Sequence, residues 1–128
     1  VVTVEGPLAE RPEGAFYKAV KKPGEQASAL AQVFLGVRIA CAECHHHPFD
    51  RWSQEDYHAL AAYFASARVV ASGGREAVED LGPAVATHPR TGKRLAARPL
   101  GARPPEKEAA GSRRHELAAW MTSRDNPY

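Results

Sequence analysis

Two cysteines and a histidine in the stretch CAECH are the residues whose types and spacing carry the most chemistry. Cys41 and Cys44 are separated by two residues, and His45 follows directly. Three kinds of site share this spacing: a redox-active dithiol, half of a zinc site, and the attachment point of a covalent haem. The chain has 2 cysteines in total, so one chain cannot form a site of four thiolates.

The haem interpretation has a geometric basis. On a helical turn, Cys41 and Cys44 lie on one side, and each can form a thioether with one haem vinyl group. His45 is four residues from Cys41, so its imidazole can reach the iron from the same side. The motif follows a long apolar segment and precedes an amphipathic one, which places helices where they can pack on a flat apolar group. We therefore expect one covalent haem c, with His45 as the proximal axial ligand.

The other two chemistries are open to the same residues. Zinc could be bound tetrahedrally by Cys41, Cys44, His47 and one further histidine. A thioredoxin-like dithiol needs a βαβ context, and the hydrophobic pattern around the motif does not indicate one.

The elements that must position the motif have a helical sequence pattern. From residue 25 to residue 45, apolar residues recur at three- and four-residue steps, which predicts a buried helix leading into the motif. Pro48 ends this pattern. A second helix is predicted to begin at Ser53, which can cap it, with Glu55 and Asp56 in the first turn. The expected fold is therefore mostly α, a small cytochrome c-like helical domain around one haem.

The 128 residues fit a single domain, in which we distinguish four segments. Residues 1–24 are predicted to form an irregular N-terminal arm, and residues 25–68 the helical core that carries the haem. Residues 69–111 are rich in Gly and Pro and are predicted to be irregular, with one hairpin favoured around Pro89–Gly92. Residues 112–128 are predicted to form a last helix and a turn.

Charge and composition exclude some functions. The net charge is +2, and residues 87–128 hold 9 Lys/Arg against 4 Asp/Glu. This basic part lacks the interleaved aromatic residues of a single-strand nucleic-acid binder, so we expect no nucleic-acid partner. No apolar run is long enough to span a membrane. The basic part would instead favour an acidic redox partner.

A longer stretch of sequence identifies a family resemblance. VFLGVRIACAECHHHPFDRWSQEDYHALAAYF resembles the planctomycete-type cytochrome domain of large secreted bacterial proteins, whose pattern is approximately FLGVxxxCAxCHxHPFDxWxQxDYxxLAxFF. THPRTGKRL and RRHELAAWMTSRDNPY resemble segments that follow in the same proteins. The resemblance implies a haem c on Cys41 and Cys44 with His45 as axial ligand. It also implies export to the periplasm or beyond, where haem c is attached, and a place in a longer multidomain chain.

The surroundings of the haem are predicted in less detail. Phe34 and Val37 are expected to cover it, while Trp52 can donate its indole N–H to a propionate and Arg51 can pair with one. His47 is expected to bond a propionate or the backbone.

The sixth iron ligand must come from a distant segment, because His46 and His47 are too near His45 in sequence to cross the haem plane. His88 is the first candidate, since turning residues can fold its THPRTG block back over the haem. Met121 is the second candidate. The remaining possibilities are His58, His115 and an open site.

We expect the chain to transfer one electron through its haem in the periplasm. We favour this electron-carrier function over an enzymatic one. The first alternative is a haem enzyme or a gas or redox sensor with an open distal site. The second is a zinc-stabilised interaction module that uses Cys41, Cys44 and His47.

Overall fold

The computed structural model describes residues 1–106 and 111–128. These residues form four α-helices and five strands. The helices are α1 (Ala15–Ala19), α2 (Pro23–Phe34), α3 (Gln54–Ala61) and α4 (Arg114–Met121). The strands are β1 (Gly6–Pro7), β2 (Ala67–Ser72), β3 (Arg75–Asp80), β4 (Val85–Thr87) and β5 (Arg94–Ala96). Short 3-10 helices occupy Pro12–Gly14, Ile39–Glu43 and Ala62–Phe64.

The mostly α expectation is wrong, because the domain is 35% helical and also carries two antiparallel sheets. Strands β2 and β3 form a hairpin in which Ser72 pairs with Arg75. Its two-residue turn is Gly73–Gly74, and both glycines have positive φ, +56° and +75°. Such a turn matches the twist of paired strands and needs residues that tolerate positive φ. The predicted Gly/Pro-rich irregular arm therefore begins with regular structure.

The first sheet also includes the N-terminal segment, because β1 pairs with β3 in the order β1-β3-β2. Strands β4 and β5 form the second sheet, in which Thr87 pairs with Arg94. This is the hairpin that the sequence favours around Pro89–Gly92. Residues 107–110 of the predicted irregular segment lie outside the described residues.

Helix α2 ends before the CAECH motif, and this differs from the predicted helix over residues 25–45. The chain turns at Gly36, whose φ is +68°, a value that ends a helix readily at glycine. The N–H of Val37 then bonds the carbonyl of Ala31 at 3.0 Å. As a result, the motif begins in the separate 3-10 helix Ile39–Glu43 and continues past its end, where Cys44 is the capping residue.

Helix α3 begins where the sequence predicts. The hydroxyl of Ser53 accepts from the backbone N–H of Asp56 at 3.1 Å, and the Asp56 carboxylate accepts from the N–H of Ser53 at 2.9 Å. This reciprocal capping box fixes the first turn of the helix. Helix α3 and the following 3-10 turn bury Tyr57, Leu60 and Phe64 in the hydrophobic core. The 3-10 helix that carries the motif packs on α2 and α3.

A fully buried arginine joins the two ends of the chain. Arg114 in α4 donates through Nε to Asp80 at 2.8 Å and through Nη2 to Glu5 at 2.9 Å. Its Nη1 lies 2.9 Å from the Tyr17 hydroxyl and 3.1 Å from the Val2 carbonyl. These bonds attach the N-terminal segment and strand β3 to the last helix.

Candidate functional site

The two cysteines lie on the outer side of a short 3-10 helix, Cys41 within it and Cys44 at the position that caps its end. With three residues per turn, side chains three positions apart lie above one another. Ile39 and Ala42 therefore share the inner face, where both are fully buried. Cys41 and Cys44 share the outer face, where both are exposed free thiols. The buried pair Ile39 and Ala42 thus anchors the motif in the core. The exposed pair Cys41 and Cys44 presents both sulfurs to solvent.

His45 has its ring tautomer set by its neighbour. Its Nδ1 lies 2.6 Å from the backbone carbonyl oxygen of His46. A carbonyl can only accept, so Nδ1 carries the proton and Nε2 keeps its lone pair. Histidines that bind metal ions commonly have this arrangement, in which a carbonyl holds one nitrogen and frees the other for the metal. His45 is exposed beside the two thiols.

His47 uses both ring nitrogens within the loop. Its Nε2 donates to the carbonyl of Arg38 at 2.9 Å, and its Nδ1 accepts from the N–H of Phe49 at 3.3 Å. Its backbone N–H also bonds the carbonyl of Trp52 at 2.9 Å. His47 therefore closes the loop around the motif. To bind zinc together with Cys41 and Cys44, it would have to break one of these bonds. In the part of the chain that the structure describes, no three His, Cys, Asp or Glu side chains are grouped closely enough to hold a metal ion.

Helix α3 supports the motif from behind through Gln54, which sequence analysis did not select. Gln54 is buried and donates through Nε2 to the carbonyl of Glu43 at 2.8 Å. One turn further along lies His58, a predicted alternative for the sixth ligand, whose Nε2 is buried with no hydrogen-bond partner among the described residues. Burial lowers the pKa of His58, the Glu43 carbonyl raises it and His88 lowers it, with a net downward shift. The i, i+4 spacing of Gln54 and His58 is the sequence signal that places both on one helix face.

His88 is buried in the β4–β5 turn, where its Nδ1 accepts from the N–H groups of Arg90 at 3.2 Å and Thr91 at 3.3 Å. In the neutral ring the proton then lies on Nε2, which leaves that nitrogen no lone pair for iron. This arrangement does not favour His88 as the sixth ligand, and its ring instead lies 5.7 Å from that of His58. Met121 is partly buried in α4 and packs on the core. The identity of the sixth ligand stays a prediction.

The residues predicted to surround the haem divide into exposed and buried groups. Phe34 is 57% exposed. Phe49, which was not among the predicted residues, is 94% exposed, so an accessible aromatic ring lies on each side of the motif in sequence. Val37 is buried. Trp52 is also buried, and its indole Nε1 has no hydrogen-bond partner among the described residues. Arg51 stacks on Trp52 with its guanidinium carbon 4.8 Å from the ring centroid.

The donor set fits a haem c. Two free thiols share one exposed face, and the adjacent imidazole has a free Nε2. The unpartnered indole N–H of Trp52 and the neighbouring Arg51 are suited to a carboxylate, the group that a haem propionate carries.

Residues 9–69 match a family model described as "PSCyt2: Protein of unknown function (DUF1549)". The match spans just under half of the chain, including α1, α2, the CAECH motif and α3. The chain is similar to this family over that stretch. No curated protein and no solved structure matches the chain.

Proposed function

We propose that the chain is a c-type cytochrome domain that transfers one electron through a single haem c bound to Cys41 and Cys44. The observation that carries the proposal is the outer face of the 3-10 helix. It presents two free thiols three residues apart, next to a histidine whose hydrogen bond to the His46 carbonyl keeps Nε2 free. The printed name of the matching family model, PSCyt2, is consistent with a cytochrome.

The chain's own residues have distinct tasks in this proposal. Cys41 and Cys44 would hold the haem through two thioether bonds, each made by adding one S–H across one vinyl group. His45 would offer Nε2 to the iron, while its Nδ1–H stays bonded to the His46 carbonyl, a bond that increases the basicity of the ring. When bound, the haem supplies an iron that alternates between the ferrous and ferric states.

Hydrogen bonds from two sides hold the loop that carries the motif. His47 bridges the carbonyl of Arg38 and the N–H of Phe49. Gln54 holds the carbonyl of Glu43 from the opposite side. A loop held at both ends loses little conformational entropy when the haem binds. We therefore assign His47 and Gln54 to the positioning of Cys41, Cys44 and His45.

The proposed setting follows from the same assignment. Haem c attachment would require export to the periplasm or another exported location. The family resemblance favours a place in a longer multidomain protein, with a redox partner that docks near the motif. Among the described residues, no helix is both long and apolar enough to cross a bilayer.

The test is expression of the chain, fused to an export signal, in a host that matures haem c. Mass spectrometry of the denatured protein is expected to find one haem retained per chain. Cys41→Ala together with Cys44→Ala should leave no haem after denaturation, while His45→Ala should retain it and alter its spectrum. A wild-type chain with the bare polypeptide mass would contradict the proposal. A high-spin ferric spectrum of the haem-loaded chain would favour an open-site haem enzyme or sensor over an electron carrier.

A further inference from the structure

A second site lies away from the CAECH motif, in a cavity of about 360 Å³. Its walls come from the α1–α2 region, through Lys18, Lys21 and Gln26, and from the β2–β3 hairpin, through Arg68 and Glu76. The cavity thus lies between the first helices and the sheet, on residues for which the haem proposal has no use.

The cavity has an excess of positive charge. Lys18 and Glu76 pair with each other across it, with 2.5 Å between Nζ and Oε2. Lys21 and Arg68 have no ion-pair partner among the described residues. Two uncompensated cations at the edge of one cavity attract an anion.

The buried amide of Gln26 adds a second and more selective requirement for any ligand of this cavity. Gln26 is 1% exposed and lines the cavity. Its Nε2 donates to the carbonyl of Val20 at 2.7 Å, which fixes the orientation of the amide. Its Oε1 is buried with no hydrogen-bond partner among the described residues. A buried acceptor without a donor is unfavourable, so this oxygen favours a ligand that brings a proton.

We propose that this cavity binds a protonated phosphate group, either free phosphate or a phosphomonoester. The charged oxygens would face Lys21 and Arg68, and the P–OH group would donate to Oε1 of Gln26. At pH 6.5 free phosphate carries such a proton, and a phosphomonoester, whose second pKa is about 6, carries it in a minor fraction of molecules, whereas sulfate and carboxylates carry none. The combination of two cations with one buried acceptor therefore distinguishes phosphate from sulfate, which matches it in shape.

The experiment titrates the full chain with inorganic phosphate and with sulfate at pH 6.5 and equal ionic strength, followed by calorimetry. Phosphate is expected to bind about fivefold more tightly than sulfate, the factor that one hydrogen bond of ordinary net strength provides. A glycerol phosphate titration separates the two sources: binding identifies a phosphomonoester site, and its absence beside phosphate binding identifies a free-phosphate site. Equal affinity for phosphate and sulfate, or no phosphate binding, would overturn the proposal.

Variants separate the role of charge from that of the amide. Gln26→Leu should lower phosphate affinity to that of sulfate and leave sulfate affinity unchanged, and circular dichroism checks that it folds. Lys21→Gln should weaken both anions alike. Lys22→Gln is the matched control, because Lys22 pairs with Glu25 at 3.2 Å and does not line the cavity.

Should Gln26→Leu fail to fold, Arg68→Gln, at an exposed strand position, provides the second test. Unchanged phosphate binding in Arg68→Gln and Lys21→Gln would refute the site.

Discussion

Replacing Arg114 by methionine should remove the contact that joins the two ends of the chain. The guanidinium is completely buried, and its partner Asp80 is 4% exposed. Methionine fills most of the volume but leaves the Asp80 carboxylate buried without its cation. It also removes the donor to the Tyr17 hydroxyl and to the Val4 carbonyl, while the Val2 carbonyl keeps the Tyr17 hydroxyl as its donor. Removing one partner of a buried ion pair typically costs about 3–5 kcal/mol.

This loss is large beside the roughly 5–15 kcal/mol by which a domain of this kind is stable. Urea unfolding at pH 7, followed by far-ultraviolet circular dichroism, measures it directly. Arg114→Lys should lose an intermediate amount, because a single ammonium cannot reproduce the guanidinium fork. Arg124→Met is the control, since Arg124 is exposed and its replacement should change stability by no more than about 0.5 kcal/mol. A loss below about 1 kcal/mol for Arg114→Met would refute the structural role given to this residue.

Two further outcomes follow from the same contacts. Burial raises the pKa of Asp80, but hydrogen bonds from two serines and Arg114 lower it more, so the net pKa is below its ordinary value. Because the folded pKa is depressed, the stability that this carboxylate contributes is present at neutral pH and is lost as pH falls below about 4. Asp80→Asn should therefore flatten the dependence of unfolding free energy on pH in that range. An unchanged slope in this variant would contradict the prediction. His47→Ala should speed amide hydrogen exchange across residues 38–52, while His46→Ala should not; equal exchange rates in both variants would show that His47 does not close the loop.

The start of α3 was predictable because its determinants are local. A serine followed three residues later by an acid, ahead of an apolar pattern, specifies a capped helix start, and Ser53 and Asp56 form that box. The β4–β5 hairpin was predictable for a related reason, since its turn residues are adjacent in sequence. In both cases the physical cause lies within a few residues of its effect.

The β2–β3 hairpin had a signal that the mostly α interpretation did not use. Gly73–Gly74 lies between two short runs that contain valines, and a Gly-Gly pair is a recognised two-residue hairpin turn. The end of α2 is a similar case, because Gly36 stands inside an apolar helical pattern that continues beyond it. There the apolar pattern indicated which positions are apolar, while Gly36 determined where the helix ends.

Other features depend on contacts far apart in sequence. Arginine is rarely buried completely, and the acids that pair with Arg114 lie at positions 5 and 80, so no local pattern identifies it. The charge asymmetry is another example. Arg98 pairs with Asp56 and Lys93 pairs with Glu55, so part of the positive charge of residues 87–128 is neutralised by acids from the first part. The basic surface available to an acidic redox partner is accordingly smaller than the sequence suggests.

The most direct test of the proposed function is a spectroelectrochemical titration of the matured wild-type chain. Visible absorption spectra are recorded while the applied potential is stepped in both directions. We expect the sharp absorption bands of a ferrous c-type haem on reduction, and reversible curves that fit a single one-electron transition in each direction. A colourless protein, or a bound haem that cannot be reduced and reoxidised reversibly, would contradict it.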